Sequence, residues 1–160
     1  MSSNSPKLLN SGIVDVQFGK NVKVVQPANI YGCTIGDDSF VGPFVEIQRK
    51  VVIGARTRIQ SHTFVCELVA IGDDCFIGHG VMFVNDVAAN GRPSFGREDL
   101  WKPTHIGNRV FVGSNVTLLP VTICDDVLIG AGSVVTKDIT KPGIYAGNPA
   151  RYLRALDKSK

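Results

Sequence analysis

Aromatic residues are scarce in this chain, with one Trp, three Tyr and eight Phe among 160 residues. Its core therefore cannot rest on rings and must be filled by Ile, Val, Leu and small side chains. Long apolar runs are also missing: no stretch of 18 apolar residues occurs, and the N-terminus lacks a basic-then-apolar order. Neither a membrane span nor a secretion signal is expected. The four cysteines (Cys33, Cys66, Cys75, Cys124) show no C-x-x-C or Cys/His metal spacing. They read as free thiols of a reducing compartment, so a cytoplasmic chain without a metal site is expected. Charge of one sign is lacking too. The net value is +3 with acids and bases mixed, which excludes a nucleic-acid reading but suits anionic small ligands. No G-x-G-x-x-G or P-loop is present. With 44% apolar and 19% charged residues, the composition is that of one globular domain over residues 1–160.

What is abundant is a repeat. An aliphatic or aromatic apolar residue recurs every six positions at Ile35, Val41, Ile47, Ile53, Ile59, Val65, Ile71, Ile77 and Phe83. Four places after each stands a small or β-branched residue: Ser39, Val45, Val51, Thr57, Thr63, Val69, Cys75, Val81, Val87. The frame resumes at Ile106, Val112 and Leu118, shifts by one to Ile123, Ile129 and Val135, and extends back through Ile30, Val24 and Phe18. A period of six is neither helical nor a plain alternation. It fits a short strand and a turn with two inward residues per unit, three units closing one triangular coil. I-G-D-D-S-F at 35–40, I-G-A-R-T-R at 53–58 and I-G-D-D-C-F at 71–76 show the larger period of 18. Coils stacked at about 4.8 Å pair each strand with its copies above and below, and about six coils over residues 18–140 are expected. The Gly after the aliphatic is expected to serve a corner through positive φ or close backbone approach.

The frame breaks once. After Phe83 the next aliphatic is due at 89 and arrives at Ile106, so residues 89–105 form an insertion dense in Gly, Pro and charge. Phe95, Leu100 and Trp101 argue for an ordered loop that closes over a ligand or reaches a neighbouring subunit. Residues 141–160 are expected to cap the prism, with A-R-Y-L-R-A-L-D at 150–157 as a short helix. The strand-like G-I-V-D-V-Q-F near the start is expected to close the other end.

The hexad pattern, the single insertion and the ending Y-A-G-N-P-A-R at 145–151 resemble the hexapeptide-repeat acyltransferase family. The stretches I-Q-S-H-T-F at 59–64, I-G-H-G-V-M-F-V-N-D at 77–86 and L-W-K-P-T at 100–104 are similar to its nucleotide-sugar N-acetyltransferases. The resemblance implies an all-β, left-handed parallel β-helix and a homotrimer with active sites between subunits. It also implies transfer of an acetyl group from acetyl-CoA to the amine of a UDP- or dTDP-linked amino sugar, in surface-glycan or lipopolysaccharide biosynthesis.

That chemistry needs a donor site, a neutral amine, oxyanion stabilisation and a route for a proton. Stacking puts Arg49, Glu67, Asn85 and Pro120 in one vertical column, with Glu67 and Asn85 one rung apart. Asn85 can hold the amine or polarise the thioester carbonyl, although Asn-Asp is also a plain turn signal. Glu67 can align the amine and favour its cationic form, or be a solvated corner charge. His79 is either a general base or a corner residue making one hydrogen bond; the subgroup resemblance also allows positioning alone, the proton passing to the CoA sulfur. His62 is diagonal to His79 and reads as a structural, interface or substrate contact; His105 reads as a hinge. Asp86, Arg97, Trp101 and Lys102 are candidate substrate contacts, the two cations for a diphosphate and Trp101 for a base or sugar, unless Trp101 only anchors the loop. The resemblance places CoA beside the C-terminal coils, along Gly113, Ser114, Ala131 and Gly132, with Gly147 and Pro149 near the adenine and Lys137 and Arg151 on phosphates. The alternatives are an O-acetyltransferase acting on a sugar or serine hydroxyl, a γ-type carbonic anhydrase, for whose zinc site His62, His79 and His105 lack the close H-x-x-x-x-H pair, and a non-catalytic scaffold.

Overall fold

The computed structural model describes residues 11–157. The chain winds as a left-handed parallel β-helix with three flat faces. The first face has seven strands: Ile13–Val14, Asn29–Tyr31, Glu46–Ile47, Phe64–Val65, Met82–Phe83, Thr117–Leu118 and Val134–Val135. The second has six: Gln17–Phe18, Thr34–Ile35, Val52–Ile53, Val69–Ile71, Thr104–Ile106 and Thr122–Ile123. The third begins at Lys23–Val24 and runs through Phe40–Val41, Arg58–Ile59, Phe76–Ile77, Phe111–Val112 and Val127–Ile129 to Gly143–Ala146 and Arg151–Arg154. Among the described residues the winding already includes Ile13–Val14, ahead of residue 18, because they pair in register with Ile30 and Tyr31.

Burial follows the hexads. Every aliphatic of the frame from Ile30 to Val135 lies in the core. Phe18 stays 43% exposed and Val24 half-buried, since among the described residues coils pack on one side of them only. Val87 is exposed because the chain has already left the prism there. Ser39, Thr57 and Cys75 form a polar ladder inside one corner. The Ser39 hydroxyl donates to the Gly54 carbonyl (2.9 Å) and accepts from the Thr57 N–H (3.0 Å). Thr57 repeats this with Gly72 (2.9 Å) and Cys75 (3.0 Å), so each buried hydroxyl stitches two coils and none is left unpaired.

The corner geometry decides between the two roles expected for the glycine. The glycine after the aliphatic is there for close approach alone: a Cβ on Gly36 would stand 2.7 Å from the Ala55 nitrogen of the next coil. Positive φ falls two residues later, at Asp38 (57°), Phe44 (59°), Lys50 (62°), Arg56 (55°) and His62 (62°). Non-glycine residues carry this conformation at about 1–2 kcal/mol each, sustained by the ladders on either side.

The C-terminal cap also differs from expectation. Residues Arg151–Arg154 are an extended strand, antiparallel to Gly143–Ala146, and not a helix. Main-chain pairing across the hairpin, with Tyr145 packed edge-on against Tyr152 (5.4 Å), outweighs the weak helical spacing of R-Y-L-R.

Candidate active site

Three edges separate the faces, and they differ in chemistry. The edge between the second and third faces is closed by its own charges. Arg56 bonds Asp74 (2.6 Å) and Arg109 bonds Asp126 (2.8 Å), while Asp73 and Asp125 accept from main-chain N–H groups of adjoining coils.

The edge between the third and first faces is small and nearly uncharged. Ser61–His62, His79–Gly80, Ser114–Asn115 and Ala131–Gly132 stack along it, tied by main-chain bonds from Gly80 to Ser61, Asn115 to His79 and Gly132 to Ser114. The His79 Nδ1 lies 2.8 Å from the Ser61 hydroxyl, and its Nε2 has no partner among the described residues. His62 is stacked on Phe44 (4.9 Å, 14°), a packing role. Gly113, Ser114, Ala131 and Gly132 thus share one edge with His79. Gly147, Pro149 and Arg151 lie in the hairpin that continues it, since Val134 donates to the Gly147 carbonyl (3.0 Å) and Ala150 to the Val134 carbonyl (2.8 Å). Such an edge offers an extended ligand backbone and open space; a Cβ on Gly132 would meet nothing within 4 Å. Lys137 does not join them. It lies beyond Val135, on the opposite side of the first face.

The edge between the first and second faces carries the acidic candidate. Glu67 is 5% exposed. Its Oε1 accepts from Arg49 Nε (2.7 Å), one coil below. Its Oε2 is buried with no hydrogen-bond partner, and Lys50 Nζ stands 4.0 Å from it. From the coil above, Asn85 donates through Nδ2 to the Glu67 carbonyl oxygen (3.3 Å). The column of Arg49, Glu67 and Asn85 is therefore present. Glu67 is not a lone carboxylate, though: the Arg49 charge offsets its pull toward a cationic amine.

The extruded loop leaves and returns at this edge and is ordered by its own bonds. Asp86 accepts from the Ser94 N–H (2.7 Å) and the Ala88 N–H (2.9 Å), which, Ser94 first, hold its carboxyl below the usual carboxylate range. Trp101 Nε1 donates to the Ser94 hydroxyl (2.7 Å), so Asp86 and Trp101 both shape the loop. Arg97 pairs with Asp99 (2.8 Å) inside it. Lys102 donates its main-chain N–H to the Asn85 carbonyl (3.0 Å), and its side chain is exposed. Glu98, in the short 3₁₀ turn Glu98–Leu100, bonds Arg49 Nη2 (2.9 Å) and Lys50 Nζ. Those contacts, Lys50 first, hold the Glu98 carboxyl below the usual carboxylate range.

The structure brings Glu67 and Asn85 together and separates both from His79. Six residues part His79 from Asn85, one full face or roughly 20 Å of extended chain. Lys50, Gln48 and Glu98 were not anticipated; Gln48 accepts the Glu67 N–H (3.3 Å). The signal for Gln48 and Lys50 was their spacing of about 18 from the Glu67 corner, whereas Glu98 has no register to betray it. His105 faces outward between Ala70 and Thr122, so the three histidines do not converge. Among the described residues no group of three His, Cys, Asp or Glu is arranged to hold a metal ion, and no helix is long and apolar enough to cross a membrane.

Known proteins share the architecture. The profile for the hexapeptide repeat of succinyl-transferase matches residues 68–82 and 103–137, and that for the bacterial transferase hexapeptide (six repeats) matches 32–67. A bifunctional protein GlmU of Clostridium beijerinckii is 35% identical over 147 residues, covering 81% of this chain and 30% of that protein. The chain thus spans about 30% of the length of the curated relatives it matches. A hexapeptide-repeat-containing acetyltransferase of Vibrio cholerae, solved with acetyl-CoA, is 26% identical with a TM-score of 0.64, covering 79% of this chain and 72% of its own. A point variant of AntD, an N-acyltransferase from Bacillus cereus solved with dTDP-4-amino-4,6-dideoxyglucose and CoA, shares the fold at a TM-score of 0.77 and 24% identity, covering 90% and 85%. With the two profiles together matching more than half of its residues, the chain belongs to the hexapeptide-repeat acyltransferase family.

Proposed function

We propose that this chain transfers an acetyl group from acetyl-CoA to the amino group of a UDP- or dTDP-linked amino sugar. The observation that carries the reading is the buried Glu67, paired on one oxygen and unpaired on the other, beside Asn85 at the mouth of the ordered loop. A buried carboxylate oxygen without a donor costs about 1–3 kcal/mol or more, and an incoming N–H satisfies it. In this reading the Arg49–Glu67 pair offers a local charge near zero, which keeps the amine neutral and nucleophilic. Asn85 Oδ1 accepts a second N–H of the amine. The nitrogen attacks the thioester carbonyl carbon, the C–S bond breaks, and the nitrogen's proton leaves with the sulfur as CoA thiol.

The Gly113, Ser114, Ala131 and Gly132 edge is the place for the donor, which supplies the activated acetyl group when bound. Support comes from its small residues, of which Ala131 and Gly132 are exposed and Ser114 is half-buried, and from the acetyl-CoA of the Vibrio cholerae neighbour. Because this edge and the Glu67 edge lie a face apart, the reading takes the active site to form between subunits of a homotrimer, the donor edge of one protomer facing the acceptor edge of the next. The role in surface-glycan or lipopolysaccharide assembly belongs to the same reading and rests on the resemblance to nucleotide-sugar N-acetyltransferases. Lys102, exposed on the loop, is then placed to meet its diphosphate, and Arg97 joins it by exchanging Asp99 for a phosphate oxygen.

A second reading has its own observation. Ser61 fixes the His79 ring at 2.8 Å, the arrangement an O-acetyltransferase would use to activate a hydroxyl. Thiol release from acetyl-CoA, followed across UDP- and dTDP-linked 3-amino and 4-amino sugars, free amino sugars, serine and maltose, separates the two. Turnover confined to nucleotide-linked amines supports the first reading. Turnover with hydroxyl acceptors alone overturns it in favour of the second.

A further inference from the structure

Resting on the amine-acceptor reading above, we propose that Glu98 of the extruded loop is a positioning residue that keeps the acceptor seat on Glu67 open by holding Lys50 away from it. Two carboxylates and two cations meet at this edge. Arg49 is shared, its Nε on Glu67 (2.7 Å) and its Nη2 on Glu98 (2.9 Å). Lys50 is bound to Glu98 and stops 4.0 Å short of Glu67 Oε2. A charge-assisted N–H···O bond closes to about 2.8 Å, so Lys50 stands roughly 1 Å outside bonding reach of the one oxygen in the cluster that lacks a donor.

Lys50 is a half-exposed, flexible side chain on a left-handed corner one coil below Glu67. Without Glu98 its best remaining partner is Glu67 Oε2, and the ammonium would occupy the position the acceptor amine needs. The loop therefore does more than cover the edge. Its one acid in contact with the prism sets which N–H donor the buried carboxylate meets, and so favours a neutral substrate amine over an internal lysine. A hydroxyl acceptor gains less from this seat, because it brings a single hydrogen where an amine brings two.

The test is calorimetric binding of a dTDP- or UDP-linked amino sugar and of the same compound with a hydroxyl in place of the amine. The proteins are the full chain, Glu67→Gln, Glu98→Gln, Lys50→Met and the Glu98→Gln/Lys50→Met double variant, each checked for an unchanged melting temperature. The wild type is expected to prefer the amine by about tenfold or more, and Glu98→Gln by less than about threefold. Lys50→Met keeps the preference, and in the double variant it returns, a rescue that mere loosening of the loop would not give. Retention of the preference in Glu98→Gln, or no rescue in the double variant, overturns the proposal while Glu67→Gln still loses it. If wild type and Glu67→Gln show no difference in preference, the amine-acceptor reading itself fails.

Discussion

Replacing Arg49 by Met tests the electrostatics of the acceptor edge where they are most exposed to measurement. Glu67 is almost fully buried, and Arg49 supplies the direct hydrogen bond to its carboxylate. Removing one partner of a buried pair costs about 3–5 kcal/mol, because the remaining charge is stranded. Here the stranded charge has Lys50 at 4.0 Å, and the Arg49 side chain is half in solvent, so about 2 kcal/mol is the expected loss. The converse change, Glu67→Gln, strands only a guanidinium that reaches water and is expected to cost less than about 1 kcal/mol. The double variant should lie near Glu67→Gln alone. Urea denaturation at one fixed protomer concentration, followed by circular dichroism, reads all three values. Equal costs for the two single variants would refute the stranded-charge reasoning, as would a loss below about 0.5 kcal/mol for Arg49→Met.

Other consequences are simpler to state. Asn85→Ala should lower kcat about 100-fold, the scale of losing one preorganised polar contact to the reacting atoms, with the melting temperature little changed; a change in KM alone would count against that role. Gly113→Val should cost about 3 kcal/mol, because a Cβ there stands 2.5 Å from the Ala131 nitrogen and neither backbone can retreat; a neutral effect on urea denaturation would contradict the close-approach reading. Asp86→Ala should free the loop, seen as faster tryptic cleavage after Arg97, whereas unchanged cleavage would show that other contacts order it. Burial pushes the Cys66 thiol up to about 12 and the Cys33 thiol up to about 11. Above about pH 8.5 the unfolded chain sheds protons that the folded chain keeps, so stability is level below that pH and falls as pH rises toward 11, by up to about 1.4 kcal/mol per unit for each thiol. Denaturation midpoints that rise between about pH 8 and 10 would reverse the sign and rule this out.

Much of the architecture was legible because a triangular coil translates position into place. The hexads name the buried column from Ile35 to Val135, and the period of 18 by itself puts Glu67 beneath Asn85. The same arithmetic held a warning about His79: six residues from Asn85 is one face away, and only contact between subunits can reunite them. Where the register stops, so did the reading. Glu98 reaches Arg49 and Lys50 from a loop with no period, so nothing in its spacing foretold the contact. Asp86 and Trp101 suggested ligand contacts, but their polar atoms hold Ser94 and the loop itself. Arg151–Arg154 alternates in a way that suits helix or strand, and the choice lies in tertiary pairing with Gly143–Ala146.

The account stands or falls on the bond that is made. The direct measurement is carbon NMR of the product formed from acetyl-CoA labelled at the acetyl carbonyl, with a nucleotide-linked amino sugar and its hydroxyl counterpart offered together. The account predicts a single new amide carbonyl on the amino sugar. An ester carbonyl on the hydroxyl compound, with the amine untouched, would contradict it.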